Sequence, residues 1–137
     1  MGKRALVLSG GGGRGAYEVG VIRALYRAGW IPEILVGTSI GAVNAAALAA
    51  GWTAERLVDF WLGLRSHHVH RPHLRVWRSL FTTEPLRATL RRHIDFERLN
   101  DPDNPRVLLV LATDLRRGCP VVFASRPVPK ALAVRIG

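Results

Sequence analysis

The chain has 137 residues, 48% of them apolar and 14 of them glycine. That is enough for one domain, residues 1–137, with a real core, and it excludes a disordered tail. Twenty Lys+Arg stand against ten Asp+Glu, a formal net charge of +10, which favours anionic partners such as phospholipid headgroups or nucleic acid. Only Lys3 and Lys130 among the cations are not arginine, so a coding bias toward arginine is the plainer alternative. The single cysteine, Cys119, excludes an intramolecular disulfide and fits a reducing cytoplasm. It has no neighbouring histidine to activate it, which points to a structural role.

In chain order, residues 4–9 read as a short buried strand. The apolar run after Lys3 and Arg4 is too short for a signal peptide, and Leu6 stands where a myristoylation site needs Ser or Thr. Gly10 to Gly13 cannot continue a strand and form a loop. Residues 14–28 turn helical, with Tyr17, Val21, Leu25 and Ala28 on one face, and Gly29 then Pro32 stop that helix. Residues 33–38 read as a second buried strand and residues 40–50 as a helix closed by Gly51. The stretch 34–54 carries no charge, but its glycines, Thr38, Ser39 and Asn44 divide it into strand, turn and helix. It is therefore not a membrane span.

Thr53 is placed to cap a third helix running to Leu64, with Leu57, Val58, Trp61 and Leu64 on one face. Strand, helix, strand, helix predicts a parallel sheet covered by helices. Residues 65–92 hold seven arginines, four histidines and one acid, Glu84. Within them residues 84–92 suit a short helix. Residues 94–99 lead into a turn-rich run, 107–112 form an apolar strand, 113–118 a turn or hairpin, and 121–124 a further strand.

Two motifs carry chemistry. Gly10, Gly11, Gly12, Gly13, Arg14 and Gly15 lie between a strand and a helix. Successive glycines let backbone N–H groups converge, and the helix N-terminus behind them adds positive potential, so the loop binds an anion or a developing oxyanion. Gly10, Gly12 and Gly15 also fit a dinucleotide fingerprint. That reading wants an acid at the end of the second strand, whereas Glu33 precedes the strand. No Gly-Lys-Ser/Thr follows, which excludes a Walker loop.

The second motif is Gly37, Thr38, Ser39, Ile40, Gly41 at a strand-to-helix junction. A nucleophilic serine needs a sharp turn to lift its hydroxyl clear of the sheet, and flanking glycines remove side chains that would clash there. The alternative is a serine helix cap. Adjacent parallel strands bring both turns to one edge of the sheet, where an anion loop beside an exposed serine is equipment for acyl transfer.

The pair Gly10-Gly11-Gly12-x-Arg14-Gly15 and Gly37-Thr38-Ser39-Ile40-Gly41-Ala42 resembles the patatin-like phospholipase family. Further likeness lies in Asp95-Phe96-Glu97-Arg98-Leu99 and in Ala112-Thr113-Asp114-Leu115 with Gly118. The resemblance implies a three-layer α/β fold and a lipid acyl hydrolase. In it Ser39 is the nucleophile, and Gly11, Gly12, Gly13 and Arg14 provide the oxyanion hole. An aspartate acts directly as base, and no metal or organic cofactor is implied. The family's base lies in an Asp-Gly-Gly or Asp-Gly-Ala motif that these residues lack, so the resemblance implies an N-terminal, truncated part of the domain. Asp114 is the internal candidate for the base, and Asp59 reads as solvated.

Rival readings remain open. A Ser-His-Asp hydrolase has acids and histidines after Ser39, but α/β-hydrolases place several strands before their elbow. His67, His68, His70, His73 and His93 read as a solvated basic run beside Arg71 and Arg75 rather than a metal site. A catalytically incomplete unit would dock on anionic membranes through residues 65–92, with Trp61, Trp77, Leu80 and Phe81 as interfacial contacts or as core. Nucleic-acid binding lacks a recognition motif. The setting expected is cytoplasmic, peripheral to a membrane at most; substrate and oligomeric state stay open.

Overall fold

A computed structural model describes residues 2–64, 71–72, 81–82 and 84–127. Strand β1 (Ala5–Leu8) leads through a glycine loop and a single 3-10 turn (Gly12–Arg14) into helix α1 (Gly15–Arg27). Then come β2 (Ile34–Thr38), α2 (Ile40–Ala49) and α3 (Ala54–Gly63). Two short strands, β3 (Arg71–Pro72) and β4 (Phe81–Thr82), pair antiparallel with each other. Helices α4 (Glu84–His93) and α5 (Phe96–Asn100) precede β5 (Val107–Asp114) and β6 (Cys119–Ala124).

The main sheet has the order β1-β2-β5-β6. β1, β2 and β5 run parallel, with Leu8 opposite Gly37 and Thr38 opposite Leu111. β6 returns antiparallel from β5 through a hairpin that turns at Gly118, φ +63°. The expected parallel-sheet α/β core with flanking helices is therefore present, with one antiparallel strand at its edge. The uncharged stretch 34–54 divides as its composition requires. No described helix is long and apolar enough to cross a membrane.

One apolar cluster joins the layers. Leu8, Leu35 and Leu108 from the sheet meet Val19 and Ile22 of α1, Ala45 and Leu48 of α2, and Leu57 of α3; Ile94 and Leu99 close it from the α4–α5 side. α3 behaves as its pattern requires: the Thr53 hydroxyl accepts from the Arg56 N–H at 3.1 Å, and Leu57 is fully buried.

The reading of α1 needs correction. Tyr17 is 79% exposed and Val21 is also exposed, while Gly15, Val19 and Ile22 are buried. Two apolar stripes compete on this helix. The one through Gly15 wins because a residue without a side chain lets α1 press directly onto α2 and α3. A short helix also stands where a plain turn approach was expected: Asp95 accepts from the Arg98 N–H at 3.0 Å and caps α5.

Candidate active site

The turn between β2 and α2 is tightly constrained. Ser39 has φ 53° and ψ −122° and is the one non-glycine residue at positive φ among those described. That pair lies well away from the left-handed well that L-residues tolerate, and such outliers persist where surrounding structure enforces them. Ser39 occupies the N-cap position of α2, yet its side chain makes no capping bond, so the helix-cap alternative fails. The Ser39 side chain is exposed and has no hydrogen-bond partner among the described residues.

The flanking glycines explain how this turn is held. A Cβ on Gly37 would lie 2.5 Å from Ala42 N and Cα and from the Gly41 carbonyl. A Cβ on Gly41 would lie 2.5 Å from the Leu8 carbonyl oxygen and 2.6 Å from that of Ser9. Both positions face main chain, which cannot swing aside. α2 thus starts hard against the end of β1, with Thr38 and Ile40 on either side of the serine. Its first turn holds no acid, leaving the positive end of the helix dipole uncompensated beside Ser39.

The glycine loop lies against the same serine. A Cβ on Gly10 would come 3.3 Å from the Ser39 Cβ. Gly11 (φ 153°) and Gly12 (φ 57°) adopt positive φ, and Arg14 N–H donates to the Gly11 carbonyl at 3.2 Å to close the turn. The Arg14 side chain folds back so that its Nε stands 3.0 Å from where a Gly11 Cβ would sit. Gly13 faces open space. A cavity of about 390 Å³ opens beside the loop, lined by Ser9, Gly10, Arg14, Gly15, Tyr17 and Glu18.

Beneath both turns lies a polar cluster that the sequence reading missed. Asn44 of α2 is fully buried. Its Nδ2 donates to the Gly15 carbonyl at 3.2 Å and to Glu18 Oε2 at 3.0 Å, and its Oδ1 accepts from Trp61 Nε1 at 2.8 Å. Ser9 Oγ donates to Glu18 Oε1 at 3.3 Å. The available signal was one asparagine in an alanine-rich helix five residues past the serine. Trp61, considered for membrane contact, instead packs against the core and donates this bond.

Asp114 ends β5 at the same edge of the sheet as Ser39. Its Oδ1 accepts from the Arg116 and Arg117 N–H groups at 2.9 and 3.2 Å, and its Oδ2 lies 3.9 Å from Arg117 Nε. Its carboxylate thus closes the β5–β6 hairpin. Asp59 is exposed. His93 packs edge-on against Phe60, centroids 5.6 Å apart. His67, His68, His70, His73, Trp77 and Leu80 lie outside the described residues. Among the described residues no group of three or more His, Cys, Asp or Glu is placed to hold a metal ion.

At the opposite end of β2, Glu33 bonds the Arg4 guanidinium and backbone N–H, both at 2.7 Å. These bonds hold its carboxyl down at about 2. Burial raises the Tyr26 phenol, and the nearby Arg106 charge partly offsets that rise. Neither group lies at the Ser39 edge.

With this geometry in place, comparison with known proteins is direct. The family profile of the patatin-like phospholipases matches residues 6–134. The chain belongs to that family, whose three-layer α/β architecture agrees with the sheet and helices described. A patatin-like phospholipase domain-containing protein of Aspergillus niger is 44% identical over 69 residues, 50% of this chain and 9% of that protein. A lysophospholipase of Aspergillus terreus is 59% identical over 44 residues, 32% of this chain and 3% of its own length. A triacylglycerol lipase of Schizosaccharomyces pombe is 46% identical over 48 residues, 35% of this chain and 10% of the lipase. The chain thus spans a tenth or less of these relatives.

Proposed function

We propose that this chain carries the nucleophile half of a serine acyl hydrolase acting on lipid esters. The observation that carries the reading is the strained, exposed Ser39 packed against Gly10 of the glycine loop. Ser39 Oγ attacks the acyl carbonyl. The carbonyl oxygen gains negative charge and is held by the backbone N–H groups of Gly11, Gly12 and Gly13, beside Arg14, with the α1 and α2 N-termini adding positive potential. The serine proton passes to a carboxylate base and from it to the alcohol oxygen as the acyl–oxygen bond breaks; water, deprotonated by the same base, then cleaves the acyl-serine to acid and free serine. Relatives named as a lysophospholipase and a triacylglycerol lipase support lipid esters as the substrate class.

The sequence contains no Asp-Gly-Gly or Asp-Gly-Ala. In this reading the base is an aspartate of that family motif from outside residues 1–137, or else Asp114 released from its hairpin bonds. One experiment separates the two: hydrolysis of a short-chain chromogenic ester by residues 1–137, with Ser39→Ala as control. Ser39-dependent turnover assigns the base to this chain, with Asp114→Asn as the next variant. A folded chain with no turnover above the control assigns the base elsewhere.

A second reading has its own support. α4 ends in Arg91, Arg92 and His93, all exposed, with Phe96 46% exposed just beyond. A basic, partly apolar surface of this kind suits peripheral contact with anionic membranes from a cytoplasmic side. Salt-sensitive binding to anionic vesicles, without binding to neutral ones, is the expected result.

A further inference from the structure

Asn44 is the most deeply buried polar side chain near the two turns, and the acyl-transfer chemistry makes no use of it. Burying an amide costs free energy unless its donors and acceptor are met. Here both ends are met, by partners from two other helices. Gly15 and Glu18 belong to the first turn of α1, which carries the glycine loop; Trp61 belongs to α3; Asn44 itself sits in the helix that begins at Ser39. Glu18 in turn accepts from Ser9, the last residue before the loop. We propose that Asn44 is a positioning residue, with Glu18 as its relay, and that together they fix the glycine loop against Ser39.

The argument rests on the acyl-hydrolase reading and on a directional feature of the cluster. Trp61 is a donor only, so Asn44 must present Oδ1 to it and Nδ2 toward Glu18 and the Gly15 carbonyl. A carboxylate of the same shape cannot serve both sides: it would face Glu18 and a carbonyl as three acceptors with no proton between them. The charged group bonded to it is Glu18 on α1, which lines the adjacent cavity together with Arg14. Oxyanion donors must sit within a few tenths of an ångström of their target, and a shift of about 1 Å costs on the order of a hundredfold in rate.

The test uses the chain together with whatever base the preceding assay assigns. Asn44→Asp is expected to lower kcat at least tenfold at pH 8 with little change in KM. The loss should shrink toward pH 5, as the introduced carboxyl regains a proton beside Glu18. Adding Glu18→Gln to Asn44→Asp restores a donor and should recover most of kcat at pH 8. Trp61→Phe removes one bond without adding charge and serves if Asn44→Asp does not fold; it should lower kcat threefold or more at unchanged KM. Equal kcat in these variants, or no recovery in the double variant, overturns the proposal. If residues 1–137 show no Ser39-dependent hydrolysis, the base lies elsewhere, and backbone amide exchange decides this proposal without an activity readout. At least tenfold faster exchange over residues 10–15 in Asn44→Asp supports positioning, and unchanged exchange overturns it.

Discussion

Replacing Ser39 by glycine should make the protein more stable than replacing it by alanine. At φ 53° and ψ −122° a residue with a Cβ stores about 1–3 kcal/mol of backbone strain. Glycine adopts positive φ freely, but an added glycine costs about 0.5–1 kcal/mol in chain entropy. The balance favours Ser39→Gly over Ser39→Ala by about 0.5–2 kcal/mol. Ser39→Ala itself should be nearly neutral, because the hydroxyl is exposed and has no partner among the described residues. Urea melts of the three proteins read these differences directly, with midpoints in the order glycine variant above alanine variant and original chain. In heat the gap should be roughly 2–8 °C. Coincident melts for the two variants would refute the strain at Ser39 and remove the main support for a nucleophile elbow.

Three further outcomes follow from the packing and charge. Gly41→Ala places a methyl 2.5 Å from the Leu8 carbonyl; it should cost about 1–3 kcal/mol, whereas Gly20→Ala on the open face of α1 should gain about 0.5–1 kcal/mol, a sign difference that paired thermal melts resolve. Thr53→Ala loses the cap on α3 and should lower stability by about 1 kcal/mol in the same assay. Glu33 is held down at about 2 by Arg4, so its contribution is present above the unfolded value near 4.5 and is lost as pH falls toward 2. The melting difference between the original chain and Glu33→Gln should therefore be constant above pH 5 and vanish near pH 2.

The elements most legible in the sequence were those whose signals are local. Glycines 37 and 41 around Ser39 announce a sharp turn because few other residues survive there, and the structure shows the backbone contacts that enforce this. Thr53 announces its helix through a hydrogen bond three residues long. What the sequence hid depends on partners distant in the chain. α1 offers two apolar stripes of similar spacing, and only the approach of Trp61 and Ile40 to Gly15 selects one. Asn44 reads as an ordinary polar residue until three helices converge on it. Asp114 reads as an acid at the right edge of the sheet, and only the hairpin amides show where its carboxylate is engaged.

The order β1-β2-β5-β6 has a consequence for how this site comes into being. The glycine loop follows β1 and the serine follows β2, and these two strands are sequence neighbours joined by one helix. The juxtaposition of glycine loop and Ser39 is therefore a by-product of closing a single strand–helix–strand unit, before β5 or β6 is needed. The unit's strand partners Ala5 and Ile34 lie 29 residues apart, against 73 for Ile34 and Val107, so its loop-closure cost is the smaller of the two. The glycine loop and Ser39 are thereby encoded in one contiguous stretch, residues 5–39.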